Sequence, residues 1–510
     1  MNSIVAQTGT LSGLDWSIVG LGAALLFVIS YVFGREERNT NDFFLGGRRI
    51  PPVVACLSFV ATEISALTIV GIPHTAFTEN WRWIQFMVGS ALARLVVAFL
   101  FIPAFYKYNC TSIYEFLGHR FGPATQYTGS IYFFVTRLLA SGVRLYATCM
   151  AVGVILGWPL SAAIALFTVV SIAFIGFGGI KAVVWAGAYQ ALFFVVAGLV
   201  LAGYLVSHIE GGLVAAMQTA QEAGRLSTFY FRFGLNDPST FWAGAANGFF
   251  VGLVAFGTDQ EMVQRLLTVE TRKSSQKTII STILTVLPVY WLYLLVGTLL
   301  YVFYRQNPSL PLPGELKEIL PHFVRNVLPA GLKGLVLGAI FMASVDSPLN
   351  SLSSSFVTDI YRPLIHRRAS EKHYLLVSRA AVVGFGLLLA AIAAACAPVE
   401  NILWFAFQIL SITGGPMLGV FLLGLFFDPA RDGLPQRRVN LANIIAMLVS
   451  TAICFVLLVL IKRETLKLGW SWLIVIGTAT TFALGYLVAR LWQGARPLNK
   501  SRPGFHADEA

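Results

Sequence analysis

The sequence predicts an all-α protein that crosses a membrane many times. Hydrophobic residues make up 56% of its 510 residues and charged residues only 12%, and the mean hydropathy is +0.73. Soluble domains carry about 25% charged residues. The apolar residues also fall into runs of about 20, the length at which a helix crosses a bilayer. We therefore expect a polytopic membrane protein of about 13 transmembrane helices.

These apolar runs can be marked off in order along the chain. The predicted spans are 15–34, 52–79, 81–106, 126–157, 159–178, 182–207, 240–265, 278–304, 330–361, 374–396, 399–427, 438–461 and 469–492. The first is expected to be a retained helix, because no basic segment precedes it and no small-residue cleavage site follows it. Residues 208–239 form a long outer loop, and residues 493–510 a polar tail.

Charge sets the expected orientation. The net charge is +12, and the Lys and Arg residues cluster in short loops between spans, so a nucleic-acid partner is not needed to explain it. With the N-terminus outside, the cytoplasmic segments hold roughly 22 Lys and Arg against about 9 in the outer segments, as the positive-inside rule requires. We therefore expect a multi-pass protein of the plasma (inner) membrane with its C-terminus in the cytoplasm.

The segment Leu57–Gly71 combines an apolar span with polar and helix-interrupting residues. It carries Glu63, Ser65 and Thr68, and Pro73 follows it. An ionisable group in a span is costly and usually faces a cavity or a polar partner. Such a pattern predicts a helix that breaks within the membrane and exposes carbonyls and hydroxyls to a solute or ion.

A second polar segment places two arginines, Arg137 and Arg144, two turns apart in one span. Arg137 either binds solute or has a structural role, by pairing or by reaching the membrane surface. Arg144 lies deeper in the span. It is the better candidate to meet a solute carboxylate or an acid such as Glu63.

Three further segments carry polar or helix-breaking residues. In Phe256–Arg265, the polar groups either line the cytoplasmic mouth of the protein or cap and anchor a helix at the membrane edge. In Phe341–Ser355, hydroxyls recur along one side of a helix that also holds Asp346. Oxygen ligands suit Na⁺, although serines also join helices by hydrogen bonds. Ser411–Gly419 predicts a hinge or a kink.

Other classes of function find little support in the sequence. Five cysteines are scattered without a CxxC pair, so neither a metal cluster nor a disulfide framework is indicated. HExxH and GxSxG motifs are absent, and no paired acids have catalytic spacing, so an enzyme is not expected. No cofactor other than a coupling ion and no obligate protein partner is predicted.

Five segments, in this order along the chain, resemble the sodium:solute symporter family. They are Ser112–Gly122, Gly178–Trp185, Gly257–Arg265, Asn350–Tyr361 and Gly415–Gly424. The resemblance implies a LeuT-type core of two inverted five-helix repeats. These repeats would be residues 52–207 and 240–427, preceded by one helix in residues 1–51 and followed by two in residues 428–492.

The resemblance also implies which residues bind. Sodium would take carbonyls of Ala61, Ile64 and Ile340, together with hydroxyls on the later helix, where Ser344 and Ser347 lie. The solute would lie near Ser65, Thr68 and Gln85, with Arg144 close to the position at which sialic-acid carriers hold an arginine.

Two departures from the family pattern weaken this sodium site. The first hydroxyl of an adjacent pair is replaced by Ala343, and the family's Trp-Thr-Asp becomes Trp185-Ala-Gly187, without its acid. Glu63 and Asp346 are the acids available to compensate or to carry a proton.

The resulting prediction is a secondary active transporter. It would couple Na⁺, or H⁺, to the symport of a small polar organic solute by alternating access. The alternative is a membrane sensor that binds solute without transporting it and acts through a separate signalling partner. The sequence does not identify the solute.

Overall fold

The computed structural model describes residues 10–34, 40–177, 179–345, 348–399 and 402–491, and it describes backbone but not side chains at a few positions beside the gaps. Within these residues the regular secondary structure is helical throughout, with no strand. This confirms the predicted all-α class. Helices satisfy their own backbone hydrogen bonds, which is the condition for crossing lipid.

The described helices range from 6 to 35 residues in length. In order they are α1 Gly13–Gly34, α2 Thr40–Leu45, α3 Pro52–Glu63, α4 Ala66–Thr78, α5 Trp83–Val96, α6 Ile102–Lys107, α7 Tyr114–Phe121, α8 Pro123–Leu156, α9 Leu160–Phe177, α10 Ile180–Ser207, α11 Gly212–Glu222, α12 Phe241–Gly257, α13 Gln260–Leu267, α14 Arg272–Gln306, α15 Ile319–Asn326, α16 Leu332–Val345, α17 Leu349–Ser355, α18 Glu371–Ala395, α19 Ile402–Phe426, α20 Gln436–Lys462 and α21 Leu473–Leu491. A π-helical turn, Val97–Phe101, joins α5 to α6.

The long helices coincide with the predicted spans. In the described part of the chain, nine helices are long and apolar enough to cross a membrane, and two bent pairs pass the same test. Two shorter apolar stretches, Leu160–Ile175 and Leu332–Ala343, fall where two further spans were expected. The multi-spanning architecture is confirmed, while the total of thirteen spans stays a prediction.

The first bent pair confirms the predicted helix break. α3 and α4 meet at an angle of 56°, and the two residues between them leave helical geometry, with ψ of 84° at Ile64 and 179° at Ser65. As a result, Ser65 N donates to the Glu63 carbonyl and Thr68 N to the Ser65 carbonyl. In an unbroken helix these two N–H groups would bond to the carbonyls of Ala61 and Ile64.

The second bent pair was not expected, because the sequence predicted one continuous span over 240–265. α12 and α13 meet at 59°. The physical reason is Asp259, whose carboxylate accepts a hydrogen bond from Glu261 N at 2.9 Å and so caps a new helix. Both broken helices place irregular backbone inside the bundle, where a ligand or neighbouring helix can satisfy it.

Glycines allow α12 to pack directly on α5. A Cβ added at Gly248 would lie 2.0 Å from the carbonyl oxygen of Phe86, and one added at Gly89 would lie 1.9 Å from that of Ala245. Such approaches require residues without a side chain. The glycines of α12 therefore form a packing surface for α5.

Candidate transport site

The break between α3 and α4 gathers oxygen atoms in the buried core. Ser65 is 4% exposed and Thr68 6%, and the Thr68 hydroxyl lies 3.4 Å from the Glu63 carbonyl. The carbonyls of Ala61 and Ile64 lie at the same break, without their usual helical donors. Carbonyl and hydroxyl oxygens of this kind suit a hard cation or a hydrogen-bonding solute.

The second half of the expected ion site lies on α16. Ile340 and Ala343 are buried there, and Ala343 shares the wall of a small cavity of about 30 Å³ with Arg144. A cavity of that size is large enough to hold a water molecule. The side chain of Ser344, and Asp346 and Ser347 altogether, lie outside the described residues.

The structure shows why an acid does not fit at position 187. A Cβ added at Gly187 would lie 2.6 Å from the Ser58 hydroxyl oxygen, because α10 packs directly on α3. That hydroxyl also accepts a hydrogen bond from Arg265 Nε at 3.2 Å. The place of the family's aspartate is therefore taken by a serine and a guanidinium that contact each other.

Glu63 is paired with Arg94, and not with Arg144 as one of our hypotheses held. The carboxylate lies 2.5 Å from Arg94 Nη2, with side-chain exposures of 9% and 2%. Arg94 also donates to Thr282 and Ser90. The signal for this partner in the sequence is Arg94 itself, a cation within the predicted span 81–106 that needs an acidic or polar partner there.

A second buried charge network joins α8 to α13. Arg137 pairs with both Asp259 and Glu261, and Arg144 Nη1 lies 4.0 Å from Glu261 Oε1. Glu261 and Arg265 are each 2% exposed. These two side chains are therefore buried within the bundle, while their position relative to the membrane edge stays a prediction. Arg137 has the structural pairing that was one of its two predicted roles.

Gln85 is held by the outer loop. Its Nε2 donates to the Ser239 carbonyl at 2.9 Å, and its Oε1 accepts from Tyr230 N at 2.8 Å. Ser65 and Thr68 do not line the cavity beside Gln85. Gln85 is thus held by the outer loop, and its grouping with the two hydroxyls stays a prediction.

That cavity, here called the outer cavity, has a volume of about 670 Å³. Tryptophans, two arginines, one glutamate and several small polar residues form its wall: Thr75, Thr78, Glu79, Asn80, Arg82, Trp83, Gln85, Phe86, Ala223, Gly224, Arg225, Pro238, Ser239, Gly244, Asn247, Trp404, Trp470 and Ser471. Its size is in the range of small-molecule sites. No motif or spacing in the sequence indicates that these residues lie together.

Comparison with known sequences identifies related transporters. The sequence model of the sodium:solute symporter family matches residues 43–432. The chain is 32% identical over 484 residues to the sodium/sialic acid symporter NanT of Aliivibrio fischeri, covering 93% of this chain and 92% of NanT. It is 29% identical over 427 residues to the sodium-coupled monocarboxylate transporter 2 of Danio rerio, covering 79% and 67%.

A solved structure extends the likeness to three dimensions. The substrate-bound, outward-open state of a Na⁺-coupled sialic acid symporter superposes with a TM-score of 0.83 at 26% identity, covering 94% of this chain and 98% of the other. The helix pattern, the broken helices and these matches lead to one assignment. The chain belongs to the sodium:solute symporter family, and it is a LeuT-type membrane transporter, not an enzyme, that couples a small solute to sodium.

Proposed function

We propose that this protein carries an organic carboxylate into the cell together with Na⁺. The observation that carries the proposal is the break at Ile64 and Ser65, which frees two backbone carbonyls beside two buried hydroxyls in the core of a symporter fold. The carboxylate class is supported by the relatives, which are named for sialic acid and for monocarboxylates.

In this proposal the carbonyls of Ala61, Ile64 and Ile340 bind the ion. Ser344 and Ser347 complete its oxygen ligands, and Asp346 lies between them in the sequence. This set has no hydroxyl at Ala343, so we expect a sodium affinity below that of a site with a serine there. A lost ligand to a charged group costs about 1.5–3 kcal/mol, or roughly ten- to a hundredfold in affinity.

The solute would bind on the other side of the break. Ser65 and Thr68 offer hydroxyls to its polar groups, and Arg144 faces its carboxylate from α8. Gln85 acts indirectly, by fixing the outer loop above the site through Tyr230 and Ser239. Sodium and solute together would favour the occluded state, which couples their movement.

Glu63 has a structural role in this proposal. Its carboxylate is held by Arg94, and Tyr290 also lies 3.4 Å from it, so the charges on α3 and α5 compensate each other. Proton coupling through Glu63 is the competing hypothesis. Measurements of stability and uptake on Glu63→Gln distinguish it from the structural role.

The test is uptake into reconstituted vesicles of sialic acid and lactate, compared with glucose and proline as solutes without net negative charge. We expect accumulation of a carboxylate when a Na⁺ gradient is imposed. Arg144→Lys keeps the charge but loses the planar fork, and should raise the KM about tenfold. Arg232→Lys, at an exposed outer-loop arginine, is the matched control. Accumulation of neutral solutes alone would refute the carboxylate class, and gradient-independent binding alone would favour a sensor.

We also propose an outside N-terminus and a cytoplasmic C-terminus in the plasma membrane, as the Lys and Arg distribution supports. A reporter that is active only in the cytoplasm should work when fused after Ala510. Activity of a periplasm-only reporter at that position would reverse the topology.

A further inference from the structure

A separate cavity of about 460 Å³ lies where helices α19 and α21 end, and it is here called the α19–α21 cavity. Four aromatic residues, two arginines and two aspartates form its wall, and it shares no residue with the candidate transport site. We propose that it binds the headgroup of an anionic phospholipid from the surrounding membrane. The inference does not depend on which solute the protein carries.

The α19–α21 cavity lies at the ends of two apolar helices that are long enough to cross a membrane. Phe426, the last residue of α19, is 64% exposed, and Leu491, the last residue of α21, is 73% exposed. Exposed apolar side chains on membrane-crossing helices face lipid chains. Charged residues follow Phe426 at once in the loop 427–438. The cavity therefore joins an apolar surface to a charged one, as a phospholipid joins its chains to its headgroup.

Two guanidinium groups on the cavity wall provide donors for a phosphate. Arg431 is exposed in the loop, and it forms no ion pair with any residue that the structure describes. Arg490 Nη2 donates to Asp432 Oδ2 at 2.8 Å. Since a guanidinium has five N–H donors, most of those of Arg490 remain for a ligand. Guanidinium groups bind pairs of phosphate oxygens with matching geometry, so the two arginines can hold one phosphate.

Aromatic rings hold Arg490 in place. Its guanidinium carbon lies 5.2 Å from the centre of the Tyr486 ring and 5.8 Å from that of the Phe427 ring. These two rings pack edge to face, with their centres 5.2 Å apart. A guanidinium held by aromatic rings loses less freedom when it binds a ligand. Arg490 is therefore preorganised at the edge of the apolar surface.

The negative groups near the cavity are already compensated by arginines. Arg120 Nη1 lies 3.2 Å from Asp428 Oδ2. The same guanidinium donates to the carbonyls of Gly424 and Phe427, at 2.7 Å and 2.8 Å. These carbonyls form the negative end of α19, which would otherwise repel an anion. Asp432 is paired with Arg490. A phosphate would therefore meet cations whose carboxylate partners do not cancel them all.

The balance of charge favours a lipid with a net negative charge. The loop 427–438, together with its partners Arg120 and Arg490, holds five arginines against two aspartates. A zwitterionic headgroup would add its own cation to this positive surplus, whereas an anionic headgroup would reduce it. With the C-terminus in the cytoplasm, as proposed above, the cavity faces the cytoplasmic leaflet, which is where anionic lipids attract basic segments.

The test is native mass spectrometry of purified full-length protein, titrated with phosphatidylglycerol, phosphatidylcholine or glycerol 3-phosphate. We expect phosphatidylglycerol to bind about tenfold more tightly than phosphatidylcholine, and glycerol 3-phosphate to bind far more weakly because it has no acyl chains. The double variant Arg431→Gln, Arg490→Gln should lose the preference for phosphatidylglycerol. Arg368→Gln removes an exposed arginine from another short loop between spans and should keep that preference.

A single variant and a second measurement keep the test valid if the double variant does not fold. Arg431→Gln alters only an exposed loop residue and should weaken phosphatidylglycerol binding about threefold. Phosphatidylglycerol nanodiscs should also raise the unfolding temperature of the wild type, relative to phosphatidylcholine nanodiscs, more than that of Arg431→Gln. Equal binding of both lipids by the wild type, or an equal loss in Arg368→Gln, would overturn the inference. Binding of glycerol 3-phosphate as tight as that of the lipid would also overturn it and indicate a soluble phosphate ligand.

Discussion

Replacing Glu63 by glutamine separates a structural carboxylate from a proton carrier. Glu63→Gln keeps the size of the side chain but removes the negative charge that lies 2.5 Å from Arg94 Nη2. Both side chains are buried in the described core. The variant therefore leaves a guanidinium inside the bundle without its counter-charge.

The expected magnitude follows from what Arg94 retains. Breaking one side of a buried ion pair costs about 3–5 kcal/mol. Arg94 keeps hydrogen bonds to the Thr282 hydroxyl at 3.0 Å and the Ser90 hydroxyl at 2.8 Å, and lies 4.2 Å from the Phe256 ring centre. These contacts compensate part of the loss, so we expect the lower end, about 3 kcal/mol.

The assay is reversible unfolding in mixed micelles, which gives the free energy of unfolding for each variant. Glu63→Gln, Arg94→Gln and the double variant form a double-mutant cycle. The double variant removes both charges, so we expect it to be more stable than the sum of the single effects predicts, by about 2 kcal/mol. Uptake driven by Na⁺ and by a proton gradient is measured on the same preparations.

One pattern of results would refute this reasoning. If Glu63→Gln unfolds like the wild type, shows no coupling to Arg94→Gln, and loses only the uptake driven by protons, then Glu63 is a coupling group and not a structural one. If Glu63→Gln is less stable than the wild type, and a Na⁺ gradient without a proton gradient drives uptake, the ion-pair role is supported.

Three other changes test packing, ion binding and pH dependence. Gly248→Ala should lower the free energy of unfolding by about 2 kcal/mol, because its Cβ would overlap a backbone carbonyl. Gly384→Ala is the control and should not lower it, because no atom lies within 4 Å of its added Cβ. Equal effects of the two changes would exclude the packing argument. Ala343→Ser should lower the Na⁺ concentration for half-maximal uptake about tenfold, and an unchanged value would remove this position from the ion site. Burial raises the pKa of Glu115, in the short helix α7 between two spans, above its ordinary value. The stability that the protonated carboxyl contributes should therefore be lost as the pH rises through that raised pKa. Unfolding measured across the acid range should show a flatter profile for Glu115→Gln, and identical profiles would contradict this.

The sequence by itself determined the all-α membrane class, the places of the long apolar helices and the presence of the first helix break. A helix in lipid satisfies its own backbone, so hydropathy along one dimension is enough to place it. The break at Ile64 and Ser65 was equally local, since polar residues interrupt an apolar run there, whereas Pro73 lies inside the continuous helix α4. The ordered motifs from Ser112 to Gly424 then indicated the family, which the comparisons show.

Only the tertiary structure decided the partners of the buried charges and the layout of the outer face. Glu63 meets Arg94 across 31 residues of chain, and Gln85 meets Ser239 across 154. Several arginines could have paired with Glu63, and their helical positions do not rank them. Pairing depends on which helix faces turn toward each other, and that is fixed by packing details such as Gly187 against Ser58. Local pattern shows that a buried charge needs a partner, but only the packed bundle shows which one it has.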